Sequence, residues 1–333
     1  NLYNQGQFTV VTEQAKALTN QYPEDCILWN LLGAANIGLG HLEKAAIALK
    51  KVTELNPNYA IGFNNLGIAL KDQGKLDDAI EAFQKALLIN PDSYETYNNM
   101  GNALQDQGKS DEAIEAQKKS ISLNPNYAQA YYNMGTTFKD LGRLEEAIEA
   151  YKTSIALKPN SYQAYNNMGN ALQDQGKLNE AVDAYSRALL IKPNYSEAYC
   201  NSSFIYNLTG DLQKGLKLYE WRLKSKVSKT RPPRNHLIWN GIKSILGKKF
   251  FVYAEQGLGD IIQFSRYLLL LKQKGATVTF KVQSKMHVLL QTIDSNIILV
   301  NSDPEDNEID FEAPLMSLPY LFNTNLDIIP SSK

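Results

Sequence analysis

Apolar and polar positions along most of this chain follow a helical spacing that restarts every 34 residues. In Tyr94–Gln107 the apolar or aromatic positions Tyr97, Met100 and Leu104 lie three and four residues apart, the mark of one buried helix face. A second segment begins near Ser110 and Asp111 and carries Ala113, Ile114, Ile121 and Leu123 with the same spacing. Gly108 separates the two, and Asn124-Pro125 ends the second, because proline disfavours helix in the residue before it and has no N–H of its own. Each unit therefore reads as two helices joined by a tight turn.

The markers recur in phase. Prolines stand at 23, 57, 91, 125, 159 and 193. Glycines run through Gly33, Gly67, Gly101 and Gly135 at one position and through Gly40, Gly74, Gly108 and Gly142 at another. Small residues at Ala45, Ala79, Ala113 and Ala147 allow paired helices to approach closely. One helix pair cannot bury its apolar face alone, but stacked pairs can, so the pattern predicts an α-solenoid. The expected organisation is a half repeat over 1–25, five full repeats over 26–195 and a degenerate repeat over 196–220. In the last, Ser203 and Gly215 replace the usual glycine and alanine.

Past residue 220 the period fails. Residues 221–247 read as a connector with many basic residues, among them Arg222, Lys226, Lys229, Arg231, Arg234 and Lys243, around Pro232-Pro233. A solvated linker, docked in part by Trp221, Ile238 and Trp239, is the expectation. From Lys248 the pattern becomes α/β. Strands are predicted at Phe250–Ala254, Val278–Val282 and Ile297–Val300, with helices at Ile261–Lys274 and Lys285–Ile293. That order implies a partial Rossmann-like parallel sheet over 248–333.

Composition narrows the function. A net charge of -1 over 333 residues argues against a general nucleic-acid binder. No stretch reaches the ~18 apolar residues of a membrane span. The two cysteines, Cys26 and Cys200, have no metal-ligand spacing, and the three histidines lie apart, so no metal site is expected and a reducing, cytoplasmic setting fits. The chain does not begin with Met and opens inside the repeat pattern, so it reads as a fragment at its N-terminus.

The run YNNMGNALQDQGKLNEAVDAYSRALLIKPNY (Tyr165–Tyr195) resembles the tetratricopeptide repeat (TPR), and more narrowly the repeats of O-linked N-acetylglucosamine transferases and bacterial TPR glycosyltransferases. The resemblance implies a right-handed superhelix whose first helices line a concave groove for a peptide or protein. Asn65, Asn99, Asn133, Asn167 and Asn201 form a ladder at positions expected to be exposed there, with Asn64, Asn98 and Asn166 beside them. Asparagine is a mediocre helix former, yet its amide both donates and accepts, which suits a peptide backbone of any sequence. Bonding between adjacent repeats is the alternative use. Asp72, Asp106, Asp140 and Asp174 make a second, acidic ladder, either facing the groove or paired with nearby lysines. Self-association through the solenoid ends is a further expectation.

A second resemblance rests on AEQGLGDIIQFSRYL (Ala254–Leu268) and EAPLMSLPYLF (Glu312–Phe322). These are similar to the heptosyltransferase-like half of TPR-fused glycosyltransferases with the GT-B fold. The turn Gly257-Leu258-Gly259 would then lie at a ligand site, and Asp260 would match the carboxylate that serves as general base. Capping of the following helix is the plain alternative for Asp260. An intact enzyme would use a nucleotide-sugar donor. No cofactor is expected in the segment at hand, because the second Rossmann-like domain that holds the donor is not in it. A non-catalytic scaffold, whose α/β segment caps the solenoid or docks a partner, is the alternative function.

Overall fold

In the computed structural model, residues 2–224, 234, 237–255 and 257–330 are described. The chain divides into two compact units, Asn1–Lys177 and Leu178–Lys333.

In the first unit ten helices follow one another: α1 (Phe8–Gln21), α2 (Cys26–Gly38), α3 (Leu42–Leu55), α4 (Ala60–Asp72), α5 (Leu76–Ile89), α6 (Tyr94–Asp106), α7 (Ser110–Leu123), α8 (Ala128–Asp140), α9 (Leu144–Leu157) and α10 (Tyr162–Asp174). The second glycine series closes each first helix. Gly74 has φ of 78°, its N–H reaches Lys71 O at 2.8 Å, and Lys75 N–H reaches Leu70 O at 2.9 Å. This is the paired C-terminal bonding that a residue in left-handed conformation completes. The first glycine series serves packing. A Cβ on Gly67 would sit 2.6 Å from the Phe83 ring, so α4 and α5 meet there without room for a methyl group. Ala45, Ala79, Ala113 and Ala147 are fully buried at the same contacts. Between repeats, the side chains of Asn56, Asn90 and Asn124 accept from the N–H two residues on, shaping the turn around each proline.

The second unit holds α11 (Leu178–Ile191), α12 (Ser196–Leu208) and α13 (Leu212–Tyr219), then a 3-10 turn at Glu220–Lys224. The α/β part follows: β1 (Lys249–Tyr253), α14 (Leu258–Phe264), α15 (Arg266–Gln273), β2 (Thr277–Lys281), α16 (His287–Gln291), β3 (Ile298–Val300), β4 (Phe311–Pro314) and α17 (Leu318–Leu321). All strands are parallel, in the order β3-β2-β1-β4. The core of this part gathers Trp239, Phe250, Val252, Leu268, Leu271 and Phe280.

Two expectations need correction here. The helix expected over Ile261–Lys274 starts earlier, at Leu258, and is broken at Ser265, whose hydroxyl bonds back to Ile262 O at 2.8 Å. The fourth strand, Phe311–Pro314, was not foreseen. In the connector, Trp239 is 2% exposed and the segment at Ile238 bridges in parallel to Glu312 of β4, in line with the docking expected of these two residues. Lys226, Lys229, Arg231, Pro232 and Pro233 lie outside the described residues.

Candidate functional site

Two regions compete as the site: the asparagine columns of the first helices, and the carboxyl end of the parallel sheet.

The columns are in register, and they are knitted together. Asn65 Nδ2 donates to Asn30 Oδ1 at 2.9 Å, Asn99 Nδ2 to Asn64 Oδ1 at 3.1 Å, and Asn133 Nδ2 to Asn98 Oδ1 at 2.9 Å. Asn167 Nδ2 donates to the Tyr132 hydroxyl at 2.9 Å, where tyrosine stands in the place of the partner asparagine. Within α4 the Asn64 amide also reaches Asn65 Oδ1 at 3.4 Å. Asn99, Asn64, Asn65 and Asn30 thus form one chain of amides across three repeats, and such chains polarise one another favourably. The expectation that these positions are exposed is corrected. Asn98, Asn133 and Asn166 are buried, while Asn64, Asn65, Asn99 and Asn167 are half-buried. Asn65, Asn99, Asn133 and Asn167 each spend one N–H on the preceding repeat and are drawn into the interface by it. Leu31, which takes the ladder position in the first full repeat, has no amide to extend the chain. Asn201 occupies the matching position on α12, in the second unit.

Asp72, Asp106, Asp140 and Asp174 are each the last residue of a first helix and are all exposed. A carboxylate at a helix C-terminus opposes the helix dipole, at roughly 0.3–1 kcal/mol each. Part of that is offset locally. Lys71 lies 2.8 Å from Asp72 and 3.9 Å from Asp106, and Gln105 Nε2 donates to Asp140 at 2.7 Å.

At the carboxyl end of the sheet a cavity of about 560 Å³ opens between the ends of β1, β2 and β3. Ala254, Glu255, Ile261, Lys281, Ser284 and Asn301 are among its walls. Gly257 is the N-cap of α14, so the cap reading of Asp260 is corrected: Asp260 stands in the first turn, with no side-chain cap bond there. Gly257, Leu258 and Gly259 are exposed at this helix start. Neither they nor Asp260 line the cavity.

Beside the cavity is an ion cluster that sequence reasoning missed. Arg222, in the turn after α13, donates to Glu220 at 2.7 Å, to Glu255 at 2.8 Å and to Ser317 Oγ at 2.9 Å. Ser317 also bonds Glu220, and Met316 N–H reaches Glu255 at 3.3 Å. The Glu255 side chain is fully buried. Burial pushes its carboxyl above the usual carboxylate range, against the pull of Arg222. Burial works to lower the Arg222 guanidinium, and Glu255 and Glu220 more than offset it. Arg234 makes a second such contact: its N–H and Nε bond the buried Glu312 at 2.6 and 2.9 Å, and its guanidinium pairs with Asp306. The basic run is therefore partly an internal scaffold. In the sequence Arg222 stood only as one basic residue of the connector among several. Among the described residues no group of three His, Cys, Asp or Glu side chains could hold a metal ion, and no helix is long and apolar enough to cross a membrane.

Comparison with family models matches the TPR repeat at residues 69–108, 101–142 and 135–176. Tetratricopeptide repeats also match at 162–195, 48–81 and 28–59. Comparison with curated proteins gives no match. Among solved structures, one titled as the APC/C hetero-tetramer Cut9-Hcn1 is similar at 18% identity over 66% of this chain and 44% of that one, with a TM-score of 0.57. PilF of Pseudomonas aeruginosa is similar at 19% identity over 62% of this chain and 93% of its own, with a TM-score of 0.54. MamA shares 32% identity over 50% of this chain and 97% of its own, at a TM-score of 0.44. At these identities the first two likenesses establish the fold alone.

Proposed function

Because the repeats over residues 28–195 belong to the tetratricopeptide family, we propose that the chain is a protein-binding scaffold that holds an extended partner segment along its asparagine columns. The supporting observation is the register: one ladder amide per repeat, fixed in place by a bond to the repeat before. A primary amide nitrogen has a second N–H and its oxygen a second lone pair. Those are what a peptide backbone would take, and a pre-ordered amide loses little freedom in giving them. The exposed carboxylates ending the same helices would favour basic side chains in the segment.

The test is calorimetry with a peptide selected by this chain from an unbiased displayed library. Asn99→Ala/Asn133→Ala/Asn167→Ala removes three contacts of about 1 kcal/mol each, a weakening of about 100-fold. Circular dichroism checks that the variant still melts cooperatively. Equal affinity for wild type and variant rules the amide reading out.

A second reading has one observation behind it. Ligands of open parallel sheets sit outside the carboxyl ends of the strands, where the cavity beside Glu255 and Ile261 lies. In this reading the α/β part is the acceptor side of a sugar transferase. Asp260 would take the acceptor's proton, and a nucleotide-sugar donor would bind to further chain. Asp260→Asn in the native full-length protein should then abolish transfer while leaving peptide capture intact. Retained transfer would eliminate Asp260 as the base.

A further inference from the structure

The inter-repeat clefts formed by the second helices are alike in shape but not in chemistry. The cleft between α1 and the α2–α3 pair has a volume of about 550 Å³, with Thr12, Trp29, Leu32, Asn36, Leu39 and Ala48 on its walls. Two repeats further on, the cleft bounded by Ile80, Leu104 and Glu115 is about the same size, at 560 Å³. Position by position, the floor and the lip have exchanged character. Asn36 takes the place of Leu70, Leu104, Phe138 and Leu172. Thr12 takes the place of Ala46, Ile80, Ile114 and Ile148. Ile47, at the lip, takes the place of Glu81, Glu115 and Glu149 and is 69% exposed. At these positions the later clefts have an apolar floor and an acidic lip, whereas the first has a polar floor and an apolar residue at the lip.

That polar floor is incomplete. Asn36 is 2% exposed, and its Nδ2 donates to Leu32 O at 2.8 Å. Its Oδ1 and the Thr12 hydroxyl are both buried without a hydrogen-bond partner among the described residues. Leaving a buried polar atom unmatched destabilises the fold, because its hydration is lost with nothing in return. The aliphatic residues used elsewhere avoid that cost: Ile80 and Leu104 pack in one apolar cluster.

We propose that this cleft is a side-chain pocket for a tyrosine of a partner protein, separate from the asparagine columns. Oδ1 of Asn36 calls for a donor at the inner tip of the occupant. A phenolic hydroxyl donates to it and can also accept from the Thr12 hydroxyl, whereas an indole N–H only donates. The apolar walls and Trp29 suit an aromatic body. A charged tip does not fit the floor: Asn36 and Thr12 offer a buried ammonium no carboxylate, and the charged residues of the cleft, Glu13, Lys16 and Lys44, are all exposed at its edge.

N-acetyl-tyrosinamide and N-acetyl-phenylalaninamide, titrated into the full chain, test the proposal with the Trp29 indole N–H resonance as reporter. The tyrosine derivative should shift that signal and bind about tenfold more tightly than its hydroxyl-free analogue. Thr12→Ile/Asn36→Leu, which installs the residues of the later repeats, should raise Tm and abolish the preference. The pocket is refuted if neither compound moves Trp29, if the two bind equally, or if the double variant keeps the preference. A rise in Tm with no binding to either protein identifies the polar floor as a packing defect and refutes it too.

Discussion

The repeat stack and the α/β part of the second unit both bury polar side chains, but they satisfy them in opposite ways. In the repeats the bonds are neutral, join residues 35 apart, and are made again in each unit. In the α/β part they are charged, unrepeated, and join residues 33, 78 or 95 apart. A neutral rung has neighbours doing the same task, so its loss is local. A buried charge has no substitute, and removing its partner strands it. Redundancy makes the repeats a surface that tolerates variation, while the ion clusters make the α/β part an all-or-none assembly.

That contrast is broken most severely at Arg222. Arg222→Met leaves the buried Glu255 and the half-buried Glu220 without their cation. Chemical denaturation should show a loss of about 3–5 kcal/mol in the transition of the second unit; a loss under 1 kcal/mol would mean the cluster is dispensable. Asn133→Ala should cost less, about 1–3 kcal/mol, because the groups it leaves unmatched, Asn98 Oδ1 and Gln129 Nε2, are neutral. The same titration reads it, now in the transition of the repeats.

The pH dependence sharpens the difference further. Glu255 has a raised pKa in the folded state, so the native protein holds its proton more tightly than the unfolded chain does. Its contribution to stability is therefore full below the ordinary carboxylate range and is lost as pH rises through the raised value. Glu255→Gln should flatten that decline, and an unchanged pH profile would contradict it. The neutral rungs predict no such dependence in the repeats. The smallest effect is expected at the surface. Lys118→Ala removes an exposed pair with Glu115 and should change stability by no more than about 0.5 kcal/mol.

The same contrast explains what the sequence disclosed. The helix pairs were legible because their signals are local and recur: a glycine that must turn left-handed at Gly74, and one that must leave room for Phe83 at Gly67. The asparagine register was legible for the same reason, but its burial was not. Periodicity tells which residues share a face, and only the neighbouring helix decides that Asn133 lies between Asn98 and Gln129. β4 was hidden because it is four residues long and contains Glu312, which is tolerable inside only through Arg234, 78 residues earlier. The break at Ser265 was hidden because the flanking residues keep helical apolar spacing across it. Arg222 read as one more basic residue of a linker until Glu255 was seen opposite it.

The central claim is that the asparagine columns are at once the seam between repeats and the contact for a partner. Its most direct test is the side-chain amide spectrum of the full chain as the library-selected peptide is added. The Asn65, Asn99, Asn133 and Asn167 amide pairs should move together and saturate with the peptide. A peptide that binds while all four pairs stay fixed would contradict the claim.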